Sequence, residues 1–91
     1  MGVEGCMKQI DIALSRAFDK QPPLGSAKWK AFIQYLAGDP ILYLYHYHHR
    51  VLVYDIYGEK ILSEWWEKPA DKRGLDSAKL WLEDRERRYG R

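Results

Sequence analysis

The sequence has very little cysteine: Cys6 is the only one among 91 residues. A single thiol excludes a disulfide framework within the chain and a zinc cage built from cysteines. An unpaired cysteine is typical of a reducing compartment, and the first residues contain no apolar segment of the kind that directs secretion. The longest uncharged run, residues 40–49, is far shorter than the roughly 20 residues that cross a bilayer. We therefore predict a cytoplasmic protein that makes no contact with a membrane.

A strong excess of one charge is also missing. Fifteen basic residues against thirteen acidic ones leave a net charge of +2, which is too balanced to indicate nucleic-acid binding by itself. Catalytic motifs are missing as well, since there is neither a glycine-rich phosphate loop nor a nucleophile elbow. We therefore expect no cofactor, and the sequence favours a protein that is not an enzyme.

Aromatic residues are what the sequence does contain in quantity. Four Trp, seven Tyr and two Phe, in a chain that is 46% hydrophobic, can bury enough surface to exclude disorder along the whole chain. A length of 91 residues leaves room for one domain, so residues 1–91 are interpreted as a single unit.

The first forty residues carry the pattern of two helices. Apolar side chains at helical spacing predict a helix over residues 4–19, which the two prolines of residues 21–25 end. Ser26 is a good N-cap for a second helix, and Gly38 stands where a helix C-terminus takes glycine. The apolar stripe of this second helix consists of Trp29, Phe32, Ile33 and Leu36.

Beyond residue 40 the hydrophobic period changes to two, which predicts strands. We expect strands over residues 41–47, 50–57 and 60–66, joined by very short loops into an antiparallel meander. Residues 67–74 are interpreted as a polar loop, and Asp76 as the N-cap of a last helix. The predicted fold class is therefore α+β, with two N-terminal helices, a three-stranded antiparallel meander and a C-terminal helix (ααβββα).

The alternation of side chains along these strands assigns the two faces of the sheet. With two-residue loops, four aromatic side chains share one face with Arg50 at its rim, while the opposite, aliphatic face receives the helices. The four aromatic residues are Tyr43, Tyr45, Tyr54 and Trp65. An exposed patch of this kind is typical of an interaction site. Two alternatives stay open: a helix that covers the patch, and a three-residue first loop that exchanges the faces of the second strand.

The leading hypothesis is a small interaction or regulatory protein, an adaptor or inhibitor of the type that mobile elements encode. It would bind a protein partner, or a second copy of itself, through the aromatic patch. The first alternative is nucleic-acid binding by the same tyrosines together with a basic C-terminal helix. The basic residues concerned are Arg73, Lys79, Arg85, Arg87 and Arg88.

The second alternative is a metal-dependent nuclease or phosphodiesterase. His46 and His48 point to the same side of the predicted strand, about 7 Å apart, and imidazole nitrogens are common metal ligands. A third ligand is needed to complete such a site, and Asp55 and Glu64 lie on the same predicted face.

Two short motifs connect this alternative with a known family. Residues 46–48 (His-Tyr-His) resemble the histidine–hydrophobe–histidine motif of rolling-circle replication nucleases, and residues 57–60 (Tyr-Gly-Glu-Lys) resemble their Tyr-x-x-Lys motif. The resemblance implies that the two histidines hold a divalent metal, that Tyr57 attacks a DNA phosphate and that Lys60 assists the attack. It covers fewer than twenty residues of the chain.

Overall fold

A computed structural model describes residues 6–89 of the chain. In this part of the chain one helix precedes a four-stranded antiparallel sheet of order β1-β2-β3-β4, and a second helix follows it. The elements are α1 (Lys8–Phe18), β1 (Trp29–Leu36), β2 (Asp39–His46), β3 (His49–Asp55), β4 (Lys60–Glu64) and α2 (Pro69–Tyr89). The α+β class is confirmed, but the layout αββββα replaces the predicted ααβββα. The predicted start of the first helix, at residue 4, lies outside the described residues.

The predicted second helix was wrong, because residues 29–36 form β1, which pairs with β2 along its whole length. Ala37 and Gly38 have φ values of 53° and 88°, the pattern of a two-residue hairpin turn of type I′. A glycine at position 38 suits a helix end and a tight hairpin turn equally well, since both require a positive φ. The side chains of β1 that alternate toward the core are Trp29, Ala31 and Ile33.

The predicted polar loop before the last helix was also wrong, because α2 begins at Pro69. Proline is favoured at the first position of a helix, where its missing N–H group has no helical partner to lose. The carboxylate of Asp71 accepts hydrogen bonds from the backbone N–H groups of Glu67 and Lys68, at 3.2 and 3.1 Å. These bonds satisfy donors that a helix start otherwise leaves unpaired, so they fix the first turn of α2.

The core lies between one face of the sheet and the two helices. Ala31, Leu44 and Leu52 form a buried cross-strand row on that face. The helices cover the row with Ile10, Leu14 and Ala17 from α1 and with Leu75, Ala78 and Leu82 from α2. Both helices therefore lie on the same side of the sheet, and neither covers the opposite side, which we call the outer face. Across residues 6–89, neither helix combines the length and the apolar character that a bilayer crossing requires.

The predicted faces of β3 were wrong for the residues after Arg50, because a β-bulge follows the β2–β3 turn. Two residues of β3, Arg50 and Val51, stand opposite Tyr45 of β2. The bulge leaves Arg50 exposed while Val51 and Leu52 are both fully buried. From the bulge onward the alternation is shifted by one residue, so Tyr54 faces the core and not the outer face.

Candidate interaction surface

The outer face is organised in three rows, because directly paired residues of an antiparallel sheet point to the same side. The first row is Lys30, Tyr45 and Arg50, the second is Phe32, Tyr43, Val53 and Ser63, and the third is Gln34, Ile41, Asp55 and Lys60. The inner strand β2 thus supplies one residue to each row, between the residues of β1 and β3.

The centre of the outer face is a cluster of stacked rings. The Phe32 ring lies 5.4 Å from the Tyr43 ring and 5.9 Å from the Tyr45 ring, with interplanar angles of 22° and 13°. All three side chains are half-buried although no helix lies over them. One face of each tyrosine ring lies against Phe32, and a group of half-buried aromatic side chains suits protein contacts.

The charges of the outer face are separated along the strands. Arg50 and Lys30 flank Tyr45 in the first row, whereas Asp55 and Lys60 close the third row. Lys30 Nζ donates a hydrogen bond to the carbonyl of Gly25, and the Asp55 carboxylate accepts one from the backbone N–H of Gly58. The first row is therefore basic, and the third row contains the only acid of the three rows.

Three of the predicted patch residues, Tyr43, Tyr45 and Arg50, lie together on the outer face. Trp65 directly follows β4, is 45% exposed and meets the ring of His49 edge-on at 5.3 Å. It borders the same shallow depression as Tyr45 and Arg50, at the rim of the outer face.

Tyr54, the fourth predicted aromatic residue, is 4% exposed on the core side of the sheet. Its hydroxyl donates a hydrogen bond to the Glu86 carboxylate of α2. Burial and this carboxylate together raise the pKa of Tyr54 well above its ordinary value. Tyr54 therefore joins the sheet to α2 and is not part of the outer face.

A cluster of two histidines and one buried carboxylate lies on the other side of the sheet. His46 Nδ1 donates to Asp71 Oδ1 at 2.6 Å, and His49 Nδ1 lies 3.3 Å from both carboxylate oxygens. The ring of His46 also stacks on the indole of Trp29, with centroids 4.2 Å apart. These contacts tie the β2–β3 hairpin to the first turn of α2, and they occupy both oxygens of Asp71.

Asp71 is 1% exposed, yet its surroundings favour the charged form of its carboxyl group. Burial by itself would raise the pKa of this carboxyl, but hydrogen bonds from His46, from the backbone N–H groups of Lys68 and Glu67 and from His49 hold it well below its usual range. The cluster is therefore a hydrogen-bonded link that depends on an ionised Asp71.

Acid is expected to weaken this link. In the unfolded chain the carboxyl takes up a proton near pH 3.9, whereas in the folded chain it keeps its charge at lower pH. Protons therefore favour the unfolded state below about pH 4, and the contribution of Asp71 is fully present above that pH. Urea unfolding of the wild type and of Asp71→Asn across the range from pH 7 to about 3 measures this contribution. We expect the stability difference between the two proteins to shrink as the pH falls below 4, and a constant difference would contradict the assignment.

The residues of the predicted metal site take different positions. Asp71 binds His46 and His49, whereas His48 is exposed in the β2–β3 turn with its ring against that of His49. Within residues 6–89, no three histidine, cysteine or acidic side chains are grouped in a way that suits a metal ion. Tyr57, which the nuclease resemblance makes the nucleophile, is 64% exposed in the β3–β4 turn.

The basic residues of the nucleic-acid alternative lie on α2, on the side of the sheet opposite the tyrosines. Lys79 pairs with Glu64 of β4 at 2.9 Å, and Arg88 pairs with Asp84 at 3.0 Å. Arg87 lies 3.8 Å from the same aspartate, the guanidinium of Arg85 covers the Phe18 ring at 4.0 Å, and Arg73 is exposed. The tyrosines and the basic helix therefore do not form one continuous surface.

Sequence reasoning missed Phe32 of the outer face and Asp71 of the cluster. Helical spacing places Phe32 in the buried stripe of a helix, although the alternation of Trp29, Ala31 and Ile33 also fits a strand. A proline followed two residues later by an acid is a signal for a helix start, and Pro69 and Asp71 have this spacing.

Comparison with known proteins gives no relative: no protein-family model, curated protein or solved structure matches this chain.

Proposed function

We propose that this chain is a small, non-enzymatic binding protein that holds a protein partner with its outer face. The observation that carries the proposal is that both helices pack on one side of the sheet, while the other side presents stacked aromatic rings. Aromatic side chains supply wide contact area at low cost in conformational entropy, and they dominate the binding energy of many protein interfaces.

The arrangement of the rings favours a protein partner over a nucleic acid. Binding of single strands uses accessible ring faces, on which successive bases stack. Here Phe32 occupies a face of Tyr43 and of Tyr45. The basic side chains that would hold phosphates lie mostly on α2, across the sheet, and three of them pair with carboxylates. Protein contacts need neither free ring faces nor a continuous basic surface.

Affinity capture from the host lysate tests the proposal, with the tagged full chain and two matched variants. Tyr45→Glu places a charge in the first row of the outer face. Leu80→Glu is the control, because Leu80 is 43% exposed on α2, away from the outer face. We expect a stoichiometric protein to be retained by the wild type and by Leu80→Glu, and its recovery to fall about tenfold or more with Tyr45→Glu. The complex should survive nuclease and high salt.

Two results would overturn the proposal. One is equal recovery of the partner by Tyr45→Glu, with thermal unfolding showing that both variants are folded. The other is recovery of nucleic acid alone, or of proteins that are lost on nuclease treatment, with an affinity that falls steeply as salt rises.

A further inference from the structure

On the outer face, one basic and one acidic side chain of the same strand lie on opposite sides of the middle row. Arg50 and Asp55 lie on the same strand, β3, in the first and the third row, and Val53 lies between them in the second row. On β2 the residues of the same three rows are Tyr45, Tyr43 and Ile41. The first row is therefore basic, whereas the third row has no net charge and contains Asp55, the one acid of the three rows, beside Lys60.

We propose that the partner of the outer face is a second copy of this chain, packed face to face about a two-fold axis that crosses the strands above Tyr43 and Val53. The proposal rests on the proposed function and names its partner. A half-turn about this axis exchanges the first and third rows and leaves each strand above its own copy. Arg50 then lies above Asp55 of the second copy, and Asp55 lies beneath Arg50 of the second copy, so one contact gives two ion pairs.

The same two-fold rotation brings apolar side chains of one copy against apolar side chains of the other. The middle row meets its own copy, so Phe32, Tyr43 and Val53 pack against their equivalents at the centre. Tyr45 in the first row lies above Ile41 in the third, and Ile41 adds little new contact because it is already 5% exposed in the single chain. Face-to-face packing of two sheets, about 10 Å apart with interdigitating side chains, is a common way to bury such rows. An isologous contact of this kind is also the commonest symmetry of homo-oligomers.

Two sheets can also pack face to face about a two-fold axis parallel to the strands, but the charges of the outer face disfavour that arrangement. A two-fold axis parallel to the strands would leave every residue in its own row and bring the basic row against the basic row. Like charges placed together in an interface oppose binding, so the axis across the strands is the favoured one.

The size of the contact sets its strength. Four strands about 4.8 Å apart and three rows about 7 Å apart give a flat area of roughly 400 Å² per copy. A standard stable interface buries about 800 Å² per partner, so we expect a weak dimer that dissociates on dilution.

Charge reversal tests the arrangement in solution by sedimentation velocity over a range of concentrations. Arg50→Glu alone brings two acidic side chains together across the interface, and Asp55→Lys alone brings two basic side chains together. We expect each variant to dimerise about tenfold or more weakly than the wild type. In an equimolar mixture of the two variants the contacts pair opposite charges again, so we expect a heterodimer. Arg73→Glu, a charge reversal on exposed α2, is the control and should dimerise like the wild type.

A second variant keeps the test independent of the turn that Asp55 helps to form through Gly58. Tyr43→Lys places a lysine on the axis, where it meets itself, so it should be monomeric at concentrations at which the wild type dimerises. Three results would overturn the inference: a wild type that stays monomeric at every concentration, an Arg50→Glu variant that dimerises as strongly as the wild type, or a mixture of folded Arg50→Glu and Asp55→Lys variants that stays monomeric. A monomeric wild type that still captures a protein through Tyr45 would overturn the dimer and leave the proposed function intact. Loss of both would overturn both.

Discussion

Replacing Asp71 with asparagine is expected to lower the free energy of unfolding by about 2–4 kcal/mol. The side chain is 1% exposed, and its carboxylate accepts hydrogen bonds from two imidazoles and two backbone N–H groups. Asparagine keeps the volume but replaces one acceptor oxygen with an amide group that donates. The amide group then faces either a backbone N–H donor or an imidazole that must change its tautomer to accept the bond, and the negative charge that accepts from His46 and His49 is lost. Urea unfolding at pH 7 measures the change.

Asp76→Asn is the matched control, because Asp76 lies on the same helix and pairs with Lys72 at 3.0 Å in an exposed i, i+4 ion pair. Such pairs contribute little, so we expect a change within about 0.5 kcal/mol. Similar effects of the two substitutions would show that the Asp71 cluster does not hold the hairpin to α2. The comparison is direct, since both variants remove one negative charge from α2.

The sequence predicted the chemical character of the β-rich half better than its geometry. Tyr43, Tyr45 and Arg50 do share a face, because a regular alternation runs along β2 and the turn is short. Tyr54 does not join them, since the bulge at Val51 shifts the alternation by one residue. A bulge depends on how β2 and β3 meet in space, and residue types along one strand do not encode it strongly.

The segment before residue 40, where the sequence pattern predicts a second helix, illustrates a different ambiguity. Trp29, Phe32, Ile33 and Leu36 fit helical spacing, while Trp29, Ala31 and Ile33 fit a strand, so the local pattern supports both structures. Long-range pairing with β2 decides between them. The role of Asp71 is not evident from the sequence either, because a polar segment before a helix is usually interpreted as a loop. The capping contacts of Asp71 show that the helix begins at Pro69.

The Asp71 cluster and the outer face are connected through one hairpin. His46 and His49 hold the end of the β2–β3 hairpin to α2 from the core side, and Tyr45 and Arg50 project from the same end of that hairpin on the outer side. We therefore expect the cluster to position the basic row of the outer face from the core side of the sheet. This assigns a structural role to His49 and to His46, and His46 is one of the two residues that the sequence analysis interprets as metal ligands.

Gly74→Ala is expected to destabilise the protein by about 2–3 kcal/mol, the cost of forcing extra atoms into a closely packed core. In the interior of an ordinary helix the same change stabilises by up to about 1 kcal/mol, so the expected sign is opposite to the usual one. The reason is the indole of Trp29, because a Cβ at residue 74 would stand 2.0 Å from Trp29 Cη2 and 2.2 Å from Cζ2. The ring is 3% exposed and stacked on His46, so it has little room to move away. Chemical unfolding measures the effect.

Gly25→Ala is the control for this substitution, since nothing lies within 4 Å of a Cβ built at residue 25. We expect its stability to stay close to that of the wild type. A smaller ring in place of Trp29 should relieve the clash. We expect the double variant Gly74→Ala, Trp29→Phe to lose less stability than the sum of the losses of the two single variants. The reason is that the phenyl ring leaves free part of the space that the new methyl group needs. Additive costs in this double-mutant cycle, or a stabilising Gly74→Ala, would show that the contact between α2 and Trp29 is looser than the structure describes. A favourable coupling would instead identify Gly74 as the residue that lets α2 approach the sheet closely enough for Asp71 to reach both histidines.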